Sequence, residues 1–229
     1  MAPSSRASRP ARALRLAHRG DWRAAPENSI AAFRAALAIP GCDGLEFDVR
    51  GSHDGVPVLL HDATLVRVQG VSRRVDELSA AELGRHGIPT LAAALAAIGP
   101  RAFLDVELKG DLVPAVVGVL EAARGPELRR AVISAFEPAT LAWVGAERPG
   151  WPRWLNTEDL EPATVERARA LGCTGIAAEW MTIDARTAAM VRDAGLELAA
   201  WTVVRRPTIS RLERLGVVAV CVEGPALDG

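Results

Sequence analysis

Leu45-Glu46-Phe47-Asp48-Val49 sets two carboxylates two residues apart within an apolar run. On a strand, residues i and i+2 share a face, so Glu46 and Asp48 point the same way. Charges are not kept in buried strands unless something pairs with them. Three further runs break the same rule. Leu16-Ala17-His18-Arg19-Gly20 and Val58-Leu59-Leu60-His61-Asp62 each carry an apolar stretch to a histidine beside a charge. Phe103-Leu104-Asp105-Val106-Glu107-Leu108-Lys109 repeats the spaced carboxylates and adds a cation. Together they point to one shared site with two imidazoles, a metal-sized carboxylate cluster, and cations suited to a phosphate.

Outward from these runs, strand-like and helix-like segments alternate. Strands are expected at 14–18, 45–49, 56–61, 102–108, 131–135, 153–156, 175–178, 196–203 and 217–222. Helices are expected at 28–38, 75–83, 90–98, 113–124, 138–147, 162–171, 185–194 and 208–215. Pro26-Glu27-Asn28 punctuates the first helix start, Ser79 and Thr90 are local caps, and Pro138 suits a first turn. Near-continuous apolar strands alternating with helices indicate a parallel sheet covered by helices. The number of units favours an α/β fold of one TIM-type (β/α)8 barrel. No Gly-rich loop follows the first strand, which counts against a dinucleotide fold.

Nine candidate strands are one too many. The excess lies near Asp48 to His61, where the spacing cannot hold a crossover helix. An irregular hairpin is expected near residues 50–55, with Asp54-Gly55 as its turn, before Val56 starts upward again. Residues 62–101 are too few for a large inserted domain, which predicts an open pocket mouth. Residues 1–13 read as a disordered tail and residues 14–229 as the barrel domain.

The formal net charge of −1 gives no electrostatic case for nucleic acid or an anionic membrane. The N-terminus has positive charge but no apolar core of a secretory signal, and no stretch reaches the length of a membrane span. Cys42, Cys173 and Cys221 are far apart and odd in number, which fits a reducing compartment. A cytoplasmic protein without stable membrane insertion is expected. The sequence leaves its oligomeric state open.

Glu46, Asp48 and Glu107 are oxygen ligands suited to a hard divalent cation, Mg2+ or Ca2+, with Mn2+ as a further choice. Without a cation, three carboxylates in one apolar pocket would repel and take up protons. The competing reading is ion pairing of Glu46 with Arg19 or Arg50, and of Glu107 with Lys109. Asp105 shares the strand face but lies further from the strand end. His18 and His61 suit general acid-base work. Arg19 offers a fork and Lys109 a point charge for phosphate oxygens. Trp201 ends an apolar run as a candidate pocket wall; Ser134 and Glu179 are weaker candidates. His53 and His86 sit in polar loops.

These residues resemble the glycerophosphodiester phosphodiesterase family. The resemblance is carried by His18-Arg19-Gly20, Pro26-Glu27-Asn28-Ser29 with Phe33, Glu46-Phe47-Asp48-Val49, Asp54-Gly55-Val56-Pro57-Val58, His61-Asp62 with Leu65 and Arg67, and Glu107-Leu108-Lys109. It continues through Ile88-Pro89-Thr90-Leu91, Ser134-Ala135-Phe136 and Trp201-Thr202-Val203. The ordered set is specific where each motif alone is weak. It implies a metal-dependent phosphodiesterase barrel with Glu46, Asp48 and Glu107 as metal ligands and His18 and His61 as the acid-base pair. It further implies Arg19 and Lys109 as phosphate contacts and Glu27 beside the site; Asn28 is placed with Glu27, and Trp201, the candidate wall, is counted with the substrate-binding residues. Substrates would be small glycerophosphodiesters, cleaved to glycerol 3-phosphate and an alcohol. One departure is Val222-Glu223-Gly224-Pro225, where the family usually has a Thr-Asp pair, so the part played by Glu223 is open.

Three other readings compete. A lysophospholipase D or sugar-phosphodiester hydrolase would use the same barrel, with Trp180, Met181 and Trp201 as the only apolar ramp. A non-catalytic phosphodiester-binding protein would bind metal or phosphate without turnover. A Schiff-base aldolase or isomerase would need Lys109, the only lysine, as its amine.

Overall fold

The computed structural model describes residues 12–110 and 114–228. Residues 1–11 of the expected tail, and Val113 at the expected start of one helix, lie outside the described residues. Arg12 is paired with Asp43, and Ala13 donates its N–H to Glu213 at 3.3 Å. The chain runs β1 (Leu14–His18), α1 (Ile30–Leu37), β2 (Gly44–Gly51), β3 (Pro57–Leu59), α2 (Val66–Gln69), α3 (Ala80–Arg85), α4 (Leu91–Ile98) and β4 (Phe103–Leu108). It continues α5 (Ala115–Arg124), β5 (Ala131–Ala135), α6 (Pro138–Glu147), β6 (Arg153–Thr157), α7 (Pro162–Ala170), β7 (Gly175–Glu179), α8 (Ala185–Asp193), β8 (Glu197–Val203), α9 (Arg206–Leu215) and β9 (Ala219–Val222).

Parallel pairing runs in the order β1-β9-β8-β7-β6-β5-β4-β2, and β1 pairs with β2 to close the ring. The fold is a TIM-type (β/α)8 barrel. Helix starts follow local chemistry. Ser29, Ser79 and Thr90 accept backbone N–H bonds at the first turns of α1, α3 and α4, and Pro138 and Pro162 open α6 and α7. Gly44 is needed where β2 begins, because a Cβ there would overlap the carbonyl oxygen of Phe103 on the neighbouring strand.

Alternation decides what faces the barrel axis. Leu16, Val132, Trp154, Ala177, Ala199, Ala219 and Cys221 pack in one cluster inside the ring. The opposite parity, with Ala17, Leu45, Phe47, Leu104, Val106 and Ile133, packs outward against the helices in the main core. Phe33 of α1 meets Phe47 of β2 there, with ring centroids 5.5 Å apart. Two residues beyond the inner cluster, toward the strand C-termini, the inward face therefore carries His18, Ser134, Asn156, Glu179, Trp201 and Glu223. Polar groups collect at this end because the apolar layer below has already closed the barrel.

The extra strand is resolved differently from the expectation. β3 does not start upward; it returns antiparallel along β2, with Val49 opposite Leu59 and Gly51 opposite Pro57. The turn at 52–56 is too short for any other direction. Ser52 tightens it, donating to Asp54 at 2.6 Å and accepting from the Val56 N–H at 2.9 Å. His61 thus reaches the mouth from a descending strand. The helix expected at 75–83 also divides, into a 3-10 turn at Val75–Glu77 and then α3. Ser79 ends the first and caps the second through reciprocal bonds with Glu82. Val58, Leu60, Leu65, Val75, Leu78, Leu83 and Ile88 form a small core of their own under this segment.

Candidate active site

A cavity of about 340 Å³ opens at the strand C-termini. His18, Arg19, Glu46, His61, Asp105, Glu107, Lys109, Ser134, Phe136, Asn156, Glu158 and Trp201 are among its lining residues. Seven of the ten residues named from the sequence thus line it directly. Asp48 lies fully buried beneath, and Glu27 and Asn28 support it from the loop after β1.

That loop is held in an uncommon shape. Arg19 and Asn28 both have φ of +56°, and the Asn28 N–H donates to the Arg19 carbonyl at 2.9 Å. Left-handed backbone at a non-glycine residue costs about 1–2 kcal/mol, so the surrounding bonds must over-determine it. Gly20, at φ +86°, lets the turn approach α1; a Cβ there would lie 2.8 Å from the Ala32 carbonyl carbon. The strained turn puts the Asn28 amide on Asp48 Oδ2 at 2.8 Å and Arg19 Nε on the same oxygen at 3.0 Å.

Glu46, Asp48 and Glu107 offer ligand oxygens that all lie within 4.8 Å of one another. Burial, and then the charge of Asp48, lift Glu46 well above the usual carboxylate range. The same two causes lift Glu107 to about 7. Burial opposes ionisation of Asp48 too, but Lys109, Arg19, His61 and the Asn28 amide outweigh it and bring its pKa down to about 2. Lys109 Nζ meets Glu107 Oε1 and sits 3.0 Å from Asp48 Oδ1. Glu46 Oε1 is buried with no hydrogen-bond partner. Excess negative charge, raised proton affinity and an orphaned inward oxygen fit a hard divalent cation, and the three carboxylates could hold one.

Both histidines are oriented by a carboxylate. His61 Nδ1 meets Asp62 Oδ1 at 2.7 Å, and His18 Nδ1 meets Glu223 Oε1. His18 Nε2 lies 3.7 Å from Glu46 Oε2. Burial holds His61 below the ordinary histidine value, against the pull of Asp48 and Asp62. The hydrogen bond to His18 lowers Glu223. Arg67 ties the network together, donating to Asp62 at 2.6 Å and to both Glu27 oxygens at 2.7 and 2.8 Å. Glu27 in turn meets Arg19 at 3.1 Å. An unbroken chain of ion pairs therefore runs from Asp48 through Arg19, Glu27, Arg67 and Asp62 to His61.

The opposite wall was only partly foreseen. Asp105 is buried one layer below Glu107, accepts from Ser134 Oγ at 2.6 Å, and is pushed up to about 7 by burial. Phe136 and Trp201 stand edge to face with centroids 5.6 Å apart. Asn156 is buried, and its Oδ1 has no partner. Alternation along β6 could have named Asn156 and Glu158, and adjacency could have named Asp62 as the partner of His61. Only the closed ring brings Glu223 to His18, 205 residues away in sequence.

Comparison with known proteins agrees with the geometry. The model of the Glycerophosphoryl diester phosphodiesterase family matches residues 18–121 and 109–227. A probable glycerophosphodiester phosphodiesterase 2 of Mycobacterium tuberculosis is 32% identical over 83% of this chain and 79% of its own length. A glycerophosphodiester phosphodiesterase of Caldanaerobacter subterraneus is 27% identical over 93% and 94%. Among solved structures, an Oleispira antarctica phosphodiesterase in complex with the product sn-glycerol-3-phosphate superposes with a TM-score of 0.75 at 26% identity, over 91% of this chain and 92% of that one. The chain belongs to the glycerophosphoryl diester phosphodiesterase family and is a phosphodiesterase of that class. Among the described residues, no helix is long and apolar enough to cross a membrane.

Proposed function

We propose that this enzyme hydrolyses small glycerophosphodiesters to glycerol 3-phosphate and an alcohol, using His18 and His61 as its acid-base pair. One observation carries the reading: two imidazoles, each fixed by a carboxylate, line the cavity whose floor is a buried acidic triad, with Glu46 and Glu107 at its surface and Asp48 beneath. His61 Nδ1–H is engaged by Asp62, and burial disfavours its imidazolium, so its Nε2 is free to take a proton from the attacking water or glycerol hydroxyl. His18 is then the donor to the leaving alcohol oxygen, with Glu223 holding its ring. Arg19 and Lys109 serve the phosphoryl oxygens. Glu46, Asp48 and Glu107 would hold one divalent cation, Mg2+, Ca2+ or Mn2+. When bound, it would neutralise phosphoryl charge and make the nucleophile more acidic. Glu27 and Asn28 keep Arg19 and Asp48 in place. A cytoplasmic location, with no nucleic-acid partner, belongs to the same reading and is supported by three free cysteines and a net charge near zero.

One second reading has an observation behind it. Trp22, Met181 and Val204 are exposed in loops that follow strand C-termini, and such side chains suit a lysolipid chain. The deciding assay couples choline release to choline oxidase, with glycerophosphocholine and lysophosphatidylcholine as parallel substrates. Release from glycerophosphocholine supports the proposal. Cleavage of the lysolipid alone replaces it with the second reading.

A further inference from the structure

Among the described residues, the exposed large apolar side chains are Trp22, Val66, Phe136, Met181 and Val204. Every one stands at the strand C-terminal end of the barrel. Trp22 follows β1, Val66 lies beyond His61, and Phe136, Met181 and Val204 follow β5, β7 and β8. Scattered singly, such residues need no explanation; gathered at one end, around the opening of the active site, they do. Three of them form an arc. β1, β9, β8 and β7 are consecutive in the ring, and the segments after them carry Trp22, Pro225, Val204 and Met181 in that order.

The arc is fastened together and positively charged. Arg211 of α9 donates to the Trp180 and Ile183 carbonyls at 3.1 and 2.8 Å and lies over the Trp180 ring, which ties the Met181 turn to the helix that begins beside Val204. Arg23, next to Trp22, pairs with Asp21 and Asp228, both at 2.8 Å. Asp228 in turn lines an open groove of about 590 Å³ with Val204, Arg205, Arg206, Pro207 and Pro225. Asp184 caps α8, accepting the Thr187 N–H at 2.8 Å, and Glu223 holds His18. Glu179 is the half-buried exception among the arc's carboxylates, the others being engaged. Arg186, Arg205 and Arg206 are exposed and have no ion-pair partner among the described residues.

We infer that this arc seats the barrel mouth on an anionic lipid bilayer. Trp settles at the headgroup level, Met and Val enter the acyl boundary, and arginines meet the lipid phosphates. Side chains spread over separate loops around an opening meet a surface, where a peptide ligand would need one continuous groove. The net charge of −1 conceals this distribution. Free negative charge gathers in the neighbouring loop after β6, where Glu158, Asp159 and Glu161 are exposed, and this tilts the contact toward the arc. The inference stands apart from the phosphodiesterase reading and does not make a lipid the substrate.

The test is co-flotation of the purified full chain with vesicles of phosphatidylcholine alone, and of phosphatidylcholine doped with phosphatidylglycerol, in EDTA at low salt. Partition onto the anionic vesicles is expected to be higher by about tenfold or more, since each arginine near such a surface contributes on the order of fivefold. Arg205→Gln combined with Arg206→Gln, and Trp22→Ser combined with Met181→Ser, should each lower it by about tenfold or more. Arg167→Gln combined with Arg169→Gln makes the same charge change on the exposed last turn of α7, at the opposite end of the barrel, and should keep it. Thermal melts check that each variant is folded. Absence of flotation on anionic vesicles overturns the inference, as does equal partition onto both vesicle types, or flotation that survives both mouth variants. A dimer in sedimentation that the mouth variants dissolve, without flotation, overturns it in favour of a second copy of this chain. Flotation is read without any diester, so failure of the phosphodiesterase reading leaves this result standing.

Discussion

Stripping divalent cations and raising the pH should weaken the fold across a defined interval. Burial lifts Glu107 from 4.5 to about 7, and Asp105 from 3.8 to about 7. In the unfolded chain both titrate at their ordinary values. Between those values and about 7, the folded protein keeps protons the unfolded chain has lost, so stability falls as pH rises. At about 1.4 kcal/mol per tenfold change in proton affinity, Glu107 alone removes about 3 kcal/mol by neutral pH. For a domain of this size that is a fall in Tm of about 6–12 °C. His61 works in the opposite sense. Its depressed pKa makes stability rise with pH, and that rise is complete just above 6.5. The paired carboxylates Asp48, Glu27, Asp62 and Glu223 lose their contribution only as pH falls below the ordinary carboxylate values. Thermal melts followed by circular dichroism from pH 5 to 7.5, in EDTA and in millimolar Mg2+ or Ca2+, read the balance directly. The chelated protein should lose Tm toward pH 7.5, and the cation should restore it. A chelated Tm that is flat or rising above pH 6.5, and unmoved by cation, would refute the reasoning.

Three further outcomes are expected. His18→Ala and His61→Ala should each lower kcat by about 10²–10⁴, the usual acid-base contribution, with Tm nearly unchanged; steady-state rates near wild type in either variant remove it from the pair. Glu223→Gln should cost about tenfold to a hundredfold in kcat, from loss of a charge-assisted hydrogen bond, and should shift the His18 imidazole ¹⁵N resonances; unchanged resonances would mean that Glu223 does not orient the ring. Gly44→Ala drives a Cβ into the Phe103 carbonyl at the β2–β4 seam and should cost more than about 3 kcal/mol by urea titration, the range of severe core overpacking; a loss under 1 kcal/mol would show that the seam relaxes freely.

The barrel was legible because each parallel strand is an apolar run, and β5 (Ala131–Ala135) and α6 (Pro138–Glu147) fall on their expected bounds. The direction of β3 was misread because an apolar pentad carries no sense of direction; only the length of the turn at 52–56 decides it. The triad and the histidines were legible because charges inside apolar runs have few explanations. The ion-pairing alternative also holds in part: Glu107 does pair with Lys109, while the Arg19 guanidinium pairs with Asp48 and Glu27 rather than Glu46. The Arg67 bridge between Asp62 and Glu27, and the Glu223–His18 contact, were not legible. They join residues brought close by ring closure and by the small core under residues 58–88, and no local pattern encodes either.

The central claim, that a carboxylate-held cation and two histidines cleave a glycerophosphodiester, is tested most directly by ³¹P NMR of glycerophosphocholine mixed with the purified protein. In EDTA the diester resonance should persist. After Mg2+, Ca2+ or Mn2+ is added it should give way to the monoester resonance of glycerol 3-phosphate. Equal turnover in EDTA, or a diester resonance that survives every cation, would contradict the account.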